Sequence, residues 1–380
     1  MNLPENFDDF NEMKKGGFLA IKDLKDNGEK IVGVFCTFTP TEIVSAAGAT
    51  AVGVCGTDAS VIPDAEKELP RNLCPLVKSS YGHAMTDTCP YIYFSDMLIG
   101  ETTCDGKKKM YEMLSKRKPM HIMELPNGTA SEQSLRSWRA EMVKLKEFME
   151  DFYDIEITED DIRKAIKEKN IERKNLKRFY ELGKMIPPAL HGRKLYSVAA
   201  GSKFVFGNGG VSEMLEKTID SVMEEYEQVK DTLPTDRPRI LVTGSPLGAA
   251  DRKILDTLEE LGAETVCYEM CGALRSLDLV DEDEEDVYMA LAKKYLNIGC
   301  SCMASNNIRI ELIEKLIDEY KIDGVVDVTL HACHTFNIES YFIREAALKN
   351  KVQFIQIETD YSETDNQQIR TRLEAFVEIL

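Results

Sequence analysis

Three times in this chain an apolar run ends in a turn that carries a cysteine, and a helix signal follows at once. KIVGVFC closes at Cys36 before TPTE, YIYFSDMLIGETTC closes at Cys104 before DGKKKMYE, and DGVVDVTLHAC closes at Cys333 before NIESYFIREAALK. Strands alternating with helices pair in parallel, because the crossover helix returns the chain to the same end of the sheet. The pattern predicts an α/β protein built from two α/β units. It sets these thiols at the carboxyl edge, where such sheets bind ligands. A helix N-terminus also stabilises a thiolate, the form that ligates metal.

The first α/β unit spans residues 1–130, with a helix around 11–27 and strands at 30–36, 51–54, 91–99 and 120–125. Thr39-Pro40-Thr41-Glu42 reads as a capping box that opens a helix over 40–48, and KKKMYEMLSK reads as a further helix. Long charged helices such as SLRSWRAEMVKLKEFMEDFYD then form a connector, assigned to residues 131–236. The second α/β unit, 237–380, opens with ILVTGSPLG. Its further strands are TVCYEM, GVVDVTL and VQFIQIE, with helices near 250–261, 284–296, 306–320, 336–349 and 364–378.

A formal charge of −19 with a pI near 4.9 repels phosphate backbones and anionic lipid, so nucleic acid and membrane surfaces are not expected partners. The longest uncharged stretch, Ile43–Thr57, is shorter than the roughly 18 to 20 apolar residues a membrane span needs. The start, MNLPENFDDFNEMKK, carries acids where a secretion signal needs a basic and then apolar run, and the expected location is the cytoplasm.

In a reducing compartment the ten cysteines are buried fillers, reactive thiols or metal ligands rather than disulfides. Cys74 (NLCPLVKSSYG), Cys89 (DTCPY), Cys271 (YEMCGALRS) and the pair Cys300-Ser301-Cys302 also lie in turns. Cys-Pro and Cys-Gly turns free backbone N–H groups to bond sulfur around iron–sulfur clusters. Cys55 and Cys267 lie in apolar runs and read as small core residues. With no C-x-x-C, neither a zinc ribbon nor a bacterial ferredoxin run is encoded, so any site must be assembled by the fold. A structural zinc drawing on four of these thiols is compatible with the composition.

No Walker loop, G-x-G-x-x-G, G-x-S-x-G or H-E-x-x-H motif is present. Gly244-Ser245-Pro246-Leu247-Gly248 reads as a tight turn or, alternatively, as a cradle for a phosphate-like group. His331 and His334 flank Cys333 and are proton-donor candidates, with a structural role as the alternative. Lys107, Lys108 and Lys109 either offset negative charge near Cys104 or form a solvated helix face.

CTFTPTEI, NLCPLVKSSYG, TTCDGKKKMYE, YEMCG, the GCSC pair and DGVVDVTLHAC with QIETDYS together resemble the 2-hydroxyacyl-CoA dehydratase superfamily, and most of all its double-cubane cluster branch. The resemblance runs from about Gly16 to Leu380. It implies an iron–sulfur cluster between two Rossmann-like, doubly wound domains, held by cysteines that match Cys74, Cys104 and Cys333. For the double-cubane [8Fe-9S] group it implies further ligands from Cys36, Cys271 and one of Cys300 or Cys302, with Cys89 as the competing thiol.

By the same resemblance the chain is a reductase component that leaves ATP chemistry to a separate ATP-hydrolysing reductase, which would supply low-potential electrons for a small-molecule substrate. A homodimer is implied as well. Two alternatives stand beside it: a dehydratase subunit, a lyase, with one [4Fe-4S] cluster, and a non-enzymatic zinc or iron–sulfur electron carrier.

Overall fold

The computed structural model describes residues 12–128, 131–201 and 210–380; the acidic start at residues 1–11 lies outside the described residues. Strands β1 (Lys30–Val34), β2 (Ala49–Gly53), β3 (Met97–Glu101) and β4 (Met120–Met123) form one sheet in the order β2-β1-β3-β4. Strands β5 (Arg239–Gly244), β6 (Glu264–Glu269), β7 (Gly324–Leu330) and β8 (Gln353–Thr359) form a second in the order β6-β5-β7-β8. Every pairing in both is parallel. The two sheets therefore share one topology, whose direction of winding switches between β1 and β3 and again between β5 and β7. Helices cover both faces, which is why β3, β5, β6 and β7 are buried along their whole length and are mainly apolar.

The connector helices start where side chains cap them. The Ser131 hydroxyl accepts the Ser134 N–H at 3.0 Å, and Thr158 with Asp161 forms a reciprocal capping box. Along Glu132–Tyr153, Trp138, Met142, Leu145 and Met149 make one buried stripe at helical spacing. That stripe packs with Val32, Met97 and Ile99 of the first sheet, and with Leu291, Tyr295 and Leu296 of the helix Val287–Leu296. A helix from the last third of the chain thus completes the first core. A parallel bridge between Gly128 and Ala304 adds to this tie, with the Ala304 N–H donating to the Asn127 carbonyl at 2.7 Å. The second core joins Phe179, Leu195 and Leu215 of the connector to Ile240, Val242, Tyr268 and Val326.

The structure corrects three local expectations. YIYF is not strand: Pro90–Phe94 is a short helix with Pro at its first turn, and the strand begins only at Met97. Thr39 and Glu42 do not form a capping box, and the helix Thr41–Ala46 has no side-chain cap. Buried partners win instead: Thr39 donates to Glu101, and Glu42 is bonded by Arg173 and Tyr295. The run after Gly248 is helical, but its middle turn, Arg252–Asp256, is π-type. No helix among the described residues is long and apolar enough to cross a membrane.

Candidate functional site

Cys74, Cys104 and Cys333 are the N-cap residues of the helices Pro75–Met85, Asp105–Leu114 and His334–Lys349. Their sulfurs lie at the helix-end N–H groups of Leu76 at Cys74, Lys107 at Cys104 and Phe336 at Cys333. Cys89 holds the same position before Pro90–Phe94 and packs onto the first sheet's core.

The thiols of the two halves meet. Cys74 and Cys333 pack together around Leu76, Leu330 and Tyr361, and their mutual contact pushes the Cys333 thiol down and the Cys74 thiol up. Cys300 and Cys302 are coupled in the same way, with Cys300 lowered by the bond from Cys302 and helped by Arg275. Burial raises Cys36, Cys104 and Cys271, and the charge of Cys300 raises each further. Cys300 also bears on Cys333, so it links the first sheet's Cys36 and Cys104 to the second sheet's Cys271 and Cys333. Of the seven thiols expected from the sequence, Cys36, Cys300 and Cys302 pack on the first core and Cys74 and Cys333 pack together beside Cys55, so each group draws on both halves of the chain along one seam; Cys104 and Cys271 complete the seven.

Cys267 is fully buried inside β6, as its apolar run implies. Cys55 differs from that expectation. It donates to the Phe35 carbonyl at 2.8 Å and packs with Cys74 and Cys333 around Leu76, Leu330 and Tyr361. Because β2 lies beside β1, the turn after it reaches the same seam, a placement that an apolar run cannot reveal. Among the described residues no three His, Cys, Asp or Glu side chains converge closely enough to hold a single metal ion.

Cations line the seam from both sides. Lys107 donates to the Phe35 carbonyl at 3.0 Å; burial opposes its ammonium, yet the acidic groups around it, Tyr111, Cys55, Cys36 and Cys104, hold it above the ordinary lysine value. Lys108 and Lys109 are exposed and pair with Asp105 and Glu112, so only the first lysine of the run faces sulfur. Opposite, Arg275 Nη1 approaches Cys271 Sγ at 3.9 Å. Arg275 and Glu269 were not legible as site residues: each is a lone charge in a mixed segment, and only burial marks them.

Glu101, at the end of β3, is fully buried, and burial pushes its carboxyl up to about 7. Thr39 donates to Oε1, whereas neither Glu101 Oε2 nor the Tyr111 hydroxyl has a hydrogen-bond partner. His331 and His334 are exposed, and His331 Nδ1 lies 3.1 Å from Glu358 Oε1. The turn Gly244–Gly248 is a packing turn. At Gly244, φ is +113°, and a Cβ there would lie 2.1 Å from the Val328 carbonyl oxygen.

Two parallel sheets of one topology, with thiols from both gathered along their seam, define a cysteine-rich, two-sheet α/β protein. The chain belongs to the 2-hydroxyglutaryl-CoA dehydratase D-component family, whose model matches residues 36–380, and so to the 2-hydroxyacyl-CoA dehydratases. It is 46% identical over 380 residues to YjiM of Escherichia coli (strain K12), a protein provisionally named a dehydratase subunit, covering 100% of this chain and 99% of that one. It is 23% identical to the (R)-phenyllactyl-CoA dehydratase beta subunit of Clostridium sporogenes, with 100% of both chains covered. It is 19% identical to a benzoyl-CoA reductase subunit of Thauera aromatica, covering 95% of this chain and 94% of that one.

Proposed function

We propose that this chain is a cytoplasmic reductase component that holds a double-cubane [8Fe-9S] cluster and reduces a small substrate with electrons from a separate ATP-hydrolysing reductase. The ligands are Cys36, Cys74, Cys104, Cys271, Cys333 and one of Cys300 or Cys302. The observation that carries the reading is that thiols of the two halves pack together, Cys36 with Cys300 and Cys302 on one core and Cys74 with Cys333 in a second cluster. The donor set fits: thiolates are the ligands of iron–sulfur clusters, and the sulfurs spread along a seam rather than converging on one ion.

When bound, such a cluster supplies electrons at low potential. The chain's own residues prepare the place for it. Helix N-termini favour thiolates at Cys74, Cys104 and Cys333, while Lys107 and Arg275 offset their charge. The names of the relatives support a second protein in the system, and a homodimer of this chain is proposed from the family resemblance alone.

A second reading, a dehydratase subunit with one [4Fe-4S] cluster on Cys74, Cys104 and Cys333, is favoured by the relatives named as dehydratase subunits. Iron and acid-labile sulfide per chain, measured with zinc on protein purified without oxygen, separate the two. About eight irons and nine sulfides support the double cubane, and about four irons support the dehydratase type. Zinc without iron overturns both.

A further inference from the structure

Behind Cys271 and Cys300 lies a buried charge network that packing alone does not explain. Arg275 and Arg309 have fully buried side chains, and both bond the equally buried Glu269. Arg275 grips Glu269 through Nε and Nη2, the latter at 2.7 Å, and spends its other bonds on the Gly244 and Glu269 carbonyls. Arg309 reaches Glu269 Oε2 at 3.3 Å and Thr243 Oγ1 at 2.8 Å, while its Nη1 has no hydrogen-bond partner and lies 3.5 Å from Glu339 Oε1. The Phe336 ring faces both guanidinium groups, at 5.2 and 5.1 Å.

Two buried cations thus share one fully bonded carboxylate. Of the other acids nearby, Glu339 lies against Arg309 rather than Arg275 and Asp327 has two unpartnered oxygens, and burial pushes both carboxyls up. Burying an uncompensated cation is costly unless a negative charge joins it. The group that faces the free side of Arg275 is sulfur, since its Nη1 approaches Cys271 Sγ at 3.9 Å.

We infer that Arg275 is a positioning residue for the redox centre of the seam: clamped by Glu269 and set beside Arg309 on Phe336, it presents fixed positive charge to Cys271 and raises the reduction potential of the group that this cysteine helps to hold. This rests on the reading that Cys271 holds an iron–sulfur group. Positive charge and N–H donation toward ligand sulfur both favour the reduced, more negative state.

The test compares full-length Arg275→Gln, Glu269→Gln and Arg275→Lys, prepared without oxygen, by EPR-monitored redox titration after iron and sulfide are counted. The inference expects opposite shifts from the two partners of one ion pair. Arg275→Gln lowers the potential, Glu269→Gln raises it, and Arg275→Lys restores part of the loss. A purely structural pair would shift both in the same direction or leave both unmoved, and either result overturns the inference. If Arg275→Gln does not fold by circular dichroism, Arg309→Gln replaces it, with a smaller downward shift expected and no shift overturning the inference. An iron-free wild type instead refutes the proposed function, so the two failures are distinguishable.

Discussion

Gly248 lies against Thr57 so closely that a Cβ at position 248 would sit 2.3 Å from the Thr57 Cβ, and the next residue, Ala249, donates its N–H to the Thr57 carbonyl at 2.9 Å. This contact joins the turn after β5 to the loop after β2, and so fixes one half of the molecule against the other beside Cys55. With φ at +53°, position 248 also disfavours any side chain. Gly248→Ala is therefore expected to destabilise the fold by about 2 to 4 kcal/mol, from backbone strain together with overpacking. Thermal and urea unfolding measure it, and an unchanged midpoint would show that the contact yields freely.

The interface between the connector and both halves holds a second checkable pair. Arg173 donates to Glu42, which also accepts from Tyr295 Oη at 2.7 Å, all of them buried. Arg173→Met leaves the Glu42 carboxylate buried without its cation, at an expected cost of about 3 to 5 kcal/mol. The double variant Arg173→Met/Glu42→Gln recovers much of that loss. Equal destabilisation in the single and double variants, measured by urea unfolding, would argue against an ion pair.

Glu101 predicts a pH dependence. Burial raises its folded-state pKa from 4.5 to about 7, so between those values the folded state binds a proton that the unfolded state has lost. Its contribution is full below about pH 4.5 and disappears as pH rises through 7, by about 3 kcal/mol in all. Glu101→Gln cannot ionise and flattens this part of the profile, gaining on wild type at pH 8 more than at pH 5. Parallel stability profiles for the two proteins would refute the assignment.

Cysteine variants separate ligands from core thiols. Cys74→Ser and Cys333→Ser, at coupled positions, are each expected to lower iron and sulfide per chain. Cys267→Ala, inside β6, keeps the metal content and costs about 1 kcal/mol of cavity. Full iron with an unchanged spectrum in both serine variants would show that neither sulfur is a ligand.

What the sequence by itself determined is local. KIVGV and GVVDVTL are legible as strands because a parallel sheet covered on both faces requires predominantly apolar, β-branched runs, and the turn after each predicts where its cysteine is held. The long connector helices are legible from their amphipathic spacing, though not the partner of their apolar stripe, which comes from Val287–Leu296. YIYF misleads because apolar composition fits strand and helix alike, and Pro90 starts a helix there.

Only the tertiary structure decided which turns meet. Strand order brings Cys55 to the seam and couples Cys74 with Cys333, residues far apart in the chain. It also decided which charges lose their water: Lys107 rather than its two neighbours, and Arg275, Arg309, Glu269 and Glu101 among the many acids and bases of an acidic chain. Backbone preference and apolar spacing act within a few residues and are written locally, whereas burial and coupling depend on distances that exist only once both sheets have packed.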